Sequence, residues 1–459
     1  MANQPSPPAN PPANPLTSLH NTNWVAPFLR LSIANTISNL MVPLAGLIDT
    51  AFLGHLDEIY YFAGVALATI IFNVIYWSFG FLRMGTTGLV AQAVGRAESD
   101  SLWLVGMRNL LLALGLGLLI FLLQLPIRRL GFSLLQADAD VLTAGQAFYR
   151  ACIWGAPAVL MNYVLLGWFL GRGQGRIVIL LSLVSNGANV ALDYGFIYRL
   201  GWASYGAGLA TAMSQYLMLL VGLAMILPTI PWPTIRQLRG QLWETKAIRA
   251  LFQLNRDILI RTFALVMCFS LFTNFSSGMG AQTLAVNTLL LQVVTLAAYL
   301  LDGIAFATET YAGQFYGQAA YAQLRRLVLW GSAVSVILGV GFAIAFARYP
   351  ASLFGLLTNH ADLVAGVKAY VIWLLPVLGF GAIAFMLDGY FLGLTAGRAL
   401  RNSTLIASLI CFLPIALIAQ QLRSPNLLWL AMTCFMAGRA LTLAWMTPKT
   451  LGPQPEPRA

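Results

Sequence analysis

Twelve apolar runs follow one another along this chain, near residues 25–53, 61–88, 102–125, 141–170, 177–198, 205–228, 251–276, 284–312, 326–347, 365–393, 403–421 and 426–447. A helix needs ~20 apolar residues to cross the ~30 Å hydrocarbon core of a bilayer. In that core no water is available to the backbone, so only helices and closed barrels can span it. Barrel strands are ~10 residues long and alternate in polarity, whereas these runs are long and continuous. The composition agrees: of 459 residues, 59% are hydrophobic and only 9% charged, against about 25% charged in a soluble chain. A soluble enzyme and a disordered scaffold are both excluded. The expected fold class is an all-α polytopic membrane protein.

A net charge of +11 raises the question of nucleic acid, but the basic residues punctuate apolar runs and form no basic face, so no nucleic-acid partner is expected. They instead report topology. With the N-terminus inside the cell, fifteen Lys and Arg fall in inside segments, among them Arg96, Arg108, Arg172, Arg325 and Arg401. Only six fall outside: Arg128, Arg129, Arg199, Arg348, Lys368 and Arg423. The positive-inside rule therefore puts both termini in the cytoplasm of a multi-pass protein of the cell (inner or plasma) membrane. The expected organisation is a disordered Pro-rich tail (1–23), an N-lobe of six helices (24–228), a cytoplasmic linker (229–250), a C-lobe of six helices (251–447) and a C-terminal tail (448–459). Nothing in the sequence asks for a second copy, and a lipid-embedded monomer is expected.

The two halves are related in sequence. A shift of 222 residues aligns Gln92-Ala-Val-Gly95 with Gln314-Phe-Tyr-Gly317, Gly167-Trp-Phe-Leu-Gly171 with Gly389-Tyr-Phe-Leu-Gly393, and Arg176 with Arg398. Each half has an even number of helices, so both enter the membrane from the same side. That is a parallel repeat about an axis along the membrane normal, an arrangement of transporters that handle substrate between the halves.

Carboxylates inside a membrane are costly and mark ion or substrate paths. In the first helix Asn35, Asn39, Gly46 and Asp49 share one face; in the fifth, Ser182, Ser185, Asn186, Asn189 and Asp193 make a similar stripe. Asp49 and Asp193 lie at similar depth in the outer half of the membrane and are expected to form one proton or cation site. The matching stretch of the second half, Ser408 to Ile415, holds no carboxylate. The eighth helix carries a polar stripe of Thr288, Gln292, Thr295, Tyr299, Asp302 and Glu309, whose partners at the 222 shift include Asn73, Trp77 and Gly80. These residues suit a central path for an organic cation; alternatively, Arg83, Arg150 or Arg261 neutralises the acids. Asp257 and Arg261, four apart, are expected to pair on one helix face. Asp388 is assigned to gating or structure.

No catalytic set can be assembled at one depth, so no enzyme and no cofactor is expected. Cys152, Cys268, Cys411 and Cys434 are scattered singly and His20, His55 and His360 lie far apart, leaving no metal site of the Cys/His kind. Gly171-Arg-Gly-Gln-Gly175 follows no strand and is no phosphate loop.

The run Pro43-Leu-Ala-Gly-Leu-Ile-Asp49-Thr-Ala-Phe-Leu-Gly-His55-Leu resembles the first-helix signature of multidrug and toxic compound extrusion (MATE) transporters, with the DinF-like branch the nearest fit. Tyr76 to Gln92, Asn255 to Thr262 and Leu301 to Glu309 extend the resemblance over nearly the whole chain. It implies two six-helix lobes around a V-shaped central cavity, and antiport of small organic, cationic or amphipathic compounds against H⁺, with Na⁺ as the alternative coupling ion. In DinF-like relatives a first-helix Asp and a fifth-helix Asn-x-x-x-Asp hold the proton, which carries over to Asp49 and to Asn189 with Asp193. Some relatives bend the first helix at a proline about four turns before that Asp. Here Ser32 to Asn35 holds none, and the interior proline is Pro43. Two alternatives stay open: a Na⁺-coupled exporter of one metabolite, or a lipid-linked precursor flippase. The flippase would need cavity-facing arginine, for which Arg83, Arg150, Arg261 and Arg439 are available.

Overall fold

The computed structural model describes residues 24–56, 58–356 and 361–452, with backbone only for residues 42, 43, 45, 47, 49, 50 and 361. The N-terminal tail, the end of the C-terminal tail, His20 and His360 lie outside the described residues.

The first half comprises α1 (Val25–Gly54), α2 (Ile59–Ser78), α3 (Phe81–Gly95), α4 (Ser99–Leu122), α5 (Gln124–Ser133), α6 (Ala139–Cys152), α7 (Ala156–Gly171), α8 (Gly175–Asp193) and α9 (Ala203–Ile226). A short α10 (Trp232–Leu238) sits in the linker. The second half comprises α11 (Thr245–Gly278), α12 (Ala281–Gly317), α13 (Tyr321–Arg348), α14 (Pro350–Phe354), α15 (Ala361–Tyr370), α16 (Leu374–Gly393), α17 (Gly397–Ile406), α18 (Leu413–Gln421) and α19 (Pro425–Met446). Eleven spans among the described residues are long and apolar enough to cross a bilayer. The 30-residue α1, several of whose side chains are not described, completes the twelve. The protein is an all-α polytopic membrane protein.

The halves repeat down to single backbone conformations. Six of the eight positive-φ residues among those described form three pairs, each 222 residues apart: Ala97 and Ala319 (φ +57° and +53°), Gly173 and Thr395 (+71° and +55°), and Gly201 and Arg423 (+67° and +48°); Ala203 and Gly280 stand outside the pattern. The first two pairs close helices in the same way. Glu98 N donates to Ala93 O at 3.1 Å and Ala320 N to Phe315 O at 2.9 Å. Gln174 N donates to Phe169 O and Ala396 N to Phe391 O, both at 2.9 Å. This 6→1 bond past a left-handed residue satisfies carbonyls that the helix end would otherwise leave bare. The halves differ at Gly80, where α2 and α3 are separated by a tight turn with Gly80 N donating to Trp77 O at 3.2 Å; α12 runs straight through the equivalent Asp302.

The lobes meet along α1, α3, α12 and α16, toward the end that holds the linker and both described ends of the chain. Gln92 Nε2 donates to Gly393 O at 2.9 Å, Thr310 Oγ1 to Leu170 O at 2.9 Å, and Gln314 Nε2 to Gly171 O at 3.0 Å. Trp24 and Phe28 pack on Tyr311 across the same seam. The backbones approach so closely that a Cβ on Gly88 would strike Leu392 O and one on Gly317 would strike Gln92 O. One hydrophobic core crosses this seam, another lies wholly in the C-lobe, and a third lies wholly in the N-lobe helices and the linker.

Candidate functional site

Two polar regions inside this apolar bundle hold most of the residues expected to bind ion and substrate; a smaller buried set, Asn287 with Ser276 and Trp429, lies in the C-lobe. The first belongs to the N-lobe. α1 lies along α8, and Ser38 Oγ and Ser182 Oγ are hydrogen-bonded across the contact. Down α8, Ser182, Ser185, Asn189 and Asp193 are all buried, Asp193 at 1% exposure. Gln215 on α9 donates from Nε2 to Ser185 Oγ at 3.1 Å. Asn186 is less buried and turns back to Ser182 O at 2.8 Å, which takes its amide N–H₂ out of the shared face. α8 then passes into a wide π-helical turn, Tyr194–Arg199, a local loosening often found beside functional residues. On α1, Asn35 is buried with neither end of its amide bonded among the described residues. Asp49 and Pro43 lie on the helical backbone of α1, and their side chains lie outside the described residues.

The second region is a cavity of about 430 Å³ between the lobes. Its N-lobe wall includes Asn39, Tyr76, Trp77, Arg83 and Tyr163; its C-lobe wall includes Arg261, Tyr299, Asp302, Phe306, Glu309, Phe385 and Asp388. The break after α2 places Arg83 here, three residues beyond Gly80. Its guanidinium lies 3.8 Å over the Phe306 ring, with Nη1 3.6 Å from Glu309 Oε2. Asp388 Oδ2 is held by two guanidiniums at once, Arg261 Nη2 from α11 and Arg439 Nη2 from α19. All three residues are buried, Arg439 completely. Such a clamp forms because a carboxylate stripped of water needs both charge and hydrogen bonds returned to it.

The sequence expectations fare unevenly. Asn39, Trp77, Tyr299, Asp302 and Glu309 do line the central cavity. Asn73 does not: it borders a separate N-lobe recess with Gly46, Leu53 and Phe148. Gln292 does not either; it is exposed on α12 ten residues before Asp302, so the stripe continues out of the cavity instead of closing around it. The Asp257–Arg261 pair is absent. Asp257 instead takes Arg401 Nη1 at 2.7 Å from α17 and Arg256 Nη2 at 3.3 Å, which frees Arg261 for Asp388. An i,i+4 pair is worth only about 0.5 kcal/mol, and a tertiary partner outbids it. Of the arginines inside apolar runs, Arg83 and Arg261 line the cavity and Arg439, which does not, pairs with its Asp388, whereas Arg150 is exposed and caps its own helix through Gln146 O at 3.3 Å. Arg439 is the member that residue-by-residue reading did not place in the network. Its signal was its position fourteen residues into a span, too deep for its head group to reach water from either end.

The MatE family model matches the chain twice, over residues 35–195 and 258–418, so the second match begins 223 residues after the first. DNA damage-inducible protein F of Escherichia coli is 36% identical over 436 residues, covering 94% of this chain and 92% of that protein. Protein DETOXIFICATION 44, chloroplastic, of Arabidopsis thaliana is 24% identical and covers 90% of this chain and 80% of its own length. Among solved structures, a MATE in complex with MaD3S superposes with a TM-score of 0.84 at 20% identity, covering 95% of this chain and 98% of that one. A MOP superfamily transporter from Pyrococcus furiosus gives 0.83 at 19% identity, covering 96% and 99%.

Proposed function

The chain belongs to the MatE family of multidrug and toxin efflux transporters, and on that premise we propose that it exports small organic, cationic or amphipathic compounds through the central cavity, driven by protons that bind at Asp49 and Asp193. The observation that carries this reading is a matter of register. Ser38 and Ser182 touch across α1 and α8, and Asp49 and Asp193 each come eleven residues later along helices that run the same way. Eleven residues make ~3 turns and a rise of ~16 Å, so both positions return to the facing sides at one level. Two carboxylates sharing a site of low dielectric hold a proton or cation between them.

Export then follows from alternating access between the lobes. The seam at the linker end is closed by the Gln92, Thr310 and Gln314 bonds, so protons and released substrate exchange at the far end in this state. With the termini in the cytoplasm, that far end faces outward. Proton binding at the acid pair lets α1 and α8 repack and displaces substrate; inward release of the proton resets the site. A potential of ~100 mV supplies ~2.3 kcal/mol per charge and one pH unit adds ~1.4 kcal/mol. Together they allow concentration on the order of several hundred-fold per proton.

The geometry argues against the alternatives. A C-lobe sodium site would need Asp388, which two guanidiniums already occupy. A flippase for lipid-linked pyrophosphate would need a net-cationic cavity, whereas Asp302, Glu309 and Asp388 match Arg83, Arg261 and the Arg439 that pairs with Asp388 one for one. Transport by the monomer in proteoliposomes, with pH and sodium gradients imposed separately, tests the scheme. Efflux that follows the pH gradient and vanishes in Asp49→Asn and Asp193→Asn supports it; efflux that follows sodium alone refutes it.

A further inference from the structure

The six ionisable groups around the central cavity are not evenly paired. Arg83 attends Glu309. Asp388 carries one negative charge against the two positive charges of Arg261 and Arg439, so the clamp keeps an excess positive charge. Arg261 lines the cavity, and its Nε is buried with no hydrogen-bond partner. Asp302 lines the same cavity, is only half-buried, and makes no ion pair or hydrogen bond among the described residues. One free anion, Asp302, and the clamp with its surplus cation therefore face a single aromatic space between Trp77 and Tyr299, while Arg83, whose Nη1 also lacks a hydrogen bond among the described residues, stays beside Glu309.

We propose that this cavity selects aromatic zwitterions, with Asp302 taking the substrate's positive group and the Arg261 side of the clamp taking its carboxylate or other anion. The inference rests on the reading of the cavity as the substrate site and narrows its substrate class. With all six groups ionised the cluster is neutral, three charges of each sign. A net-cationic guest would satisfy Asp302 but leave the clamp's positive charge uncompensated and newly cut off from water, which is costly at low dielectric. A zwitterion answers both charges and leaves the total at zero. Aromatic walls hold the frame of either guest, so they do not discriminate between them.

The test uses the purified full chain in nanodiscs at equilibrium, without any gradient. A xanthene dye is offered as its free acid, a zwitterion, and as its ethyl ester, a cation with the same chromophore, and binding is followed by fluorescence anisotropy. The wild type is expected to bind the zwitterion about tenfold or more tightly than the ester. Asp302→Asn weakens both dyes, since both present the same cation, and Asp302→Glu restores them. Arg261→Gln weakens the zwitterion and leaves the ester unchanged, bringing the two within about twofold of each other. Arg261→Gln disturbs a buried clamp and is the variant at risk of misfolding; Asp302 has no partner to orphan, so its substitutions keep the test decisive. Ester binding equal to or tighter than zwitterion binding in the wild type overturns the inference, as does unaltered binding in Asp302→Asn. Failure of the wild type to bind either dye overturns the cavity's role as an organic-substrate site itself. Loss of proton coupling in the Asp49 or Asp193 variants bears on neither result.

Discussion

The two lobes share a backbone plan and divide the chemistry. Three pairs of left-handed turn residues fall at one constant offset, yet the acids buried in the lobes live in different surroundings. In the N-lobe, α8 stays α-helical through Asn189 and Asp193 and surrounds them with serines and amides. At the equivalent place the C-lobe has Cys411 and Ile415, and its own wide turn comes earlier, at Ala407–Phe412. Its buried acids lie elsewhere, on α11, α12 and α16, and guanidiniums attend Asp257, Glu309 and Asp388. Asp193 is set among hydroxyls and amides of its own helix, groups that hydrogen-bond a carboxylate or a carboxylic acid alike. Asp388 is instead held between two buried guanidiniums. On the proposed reading, one bundle is the responsive side and the other the rigid one.

The largest expected effect tests the responsive side. Asp193→Asn removes gradient-driven efflux entirely, while the protein still inserts and retains its far-ultraviolet helical signal; efflux persisting at wild-type rate would erase the distinction between the lobes. Next comes the rigid side. Asp388→Ala leaves two buried guanidiniums facing each other and is expected to destabilise the protein by about 3–5 kcal/mol, read as a fall in the thermal midpoint in detergent. Asp193→Ala should cost much less stability than this, and a reversed order would show that the charges were assigned to the wrong roles.

A smaller effect concerns the seam common to both lobes. A methyl group at Gly88 or Gly317 meets a carbonyl oxygen of the opposite lobe. Gly88→Ala should therefore cost about 1–3 kcal/mol of the closed seam and lengthen spin-label distances across the linker end. Smallest are the turn residues: Ala97→Gly and Ala319→Gly relieve left-handed strain at matched positions. Each is expected to stabilise by about 0.5–1 kcal/mol. Equal gains would sharpen the symmetry, and unequal gains would locate where it fails.

Much of this was legible without coordinates. The spans, the 222-residue repeat and the buried α8 stripe follow from apolar run length and helical periodicity, both local properties of the chain. Arg261 shows where that legibility stops. Its sequence neighbour Asp257 stood four residues away, but the partner it takes lies 127 residues on. Asn73 and Gln292 sit on the right stripes and still miss the cavity, because stripe position gives direction around a helix and not which neighbour faces it.

The sequence by itself determined that the chain spans a membrane, that it is built twice, and which acids lie too deep to be surface charges. Those conclusions depend on length, polarity and period, which hydrocarbon enforces segment by segment. Only the tertiary structure decided which arginine neutralises which acid, that Asp302 remains unpaired among the described residues, and where the lobes close. Ion pairing at low dielectric is settled by a few ångströms between side chains from helices far apart in the chain, and no local pattern encodes that distance.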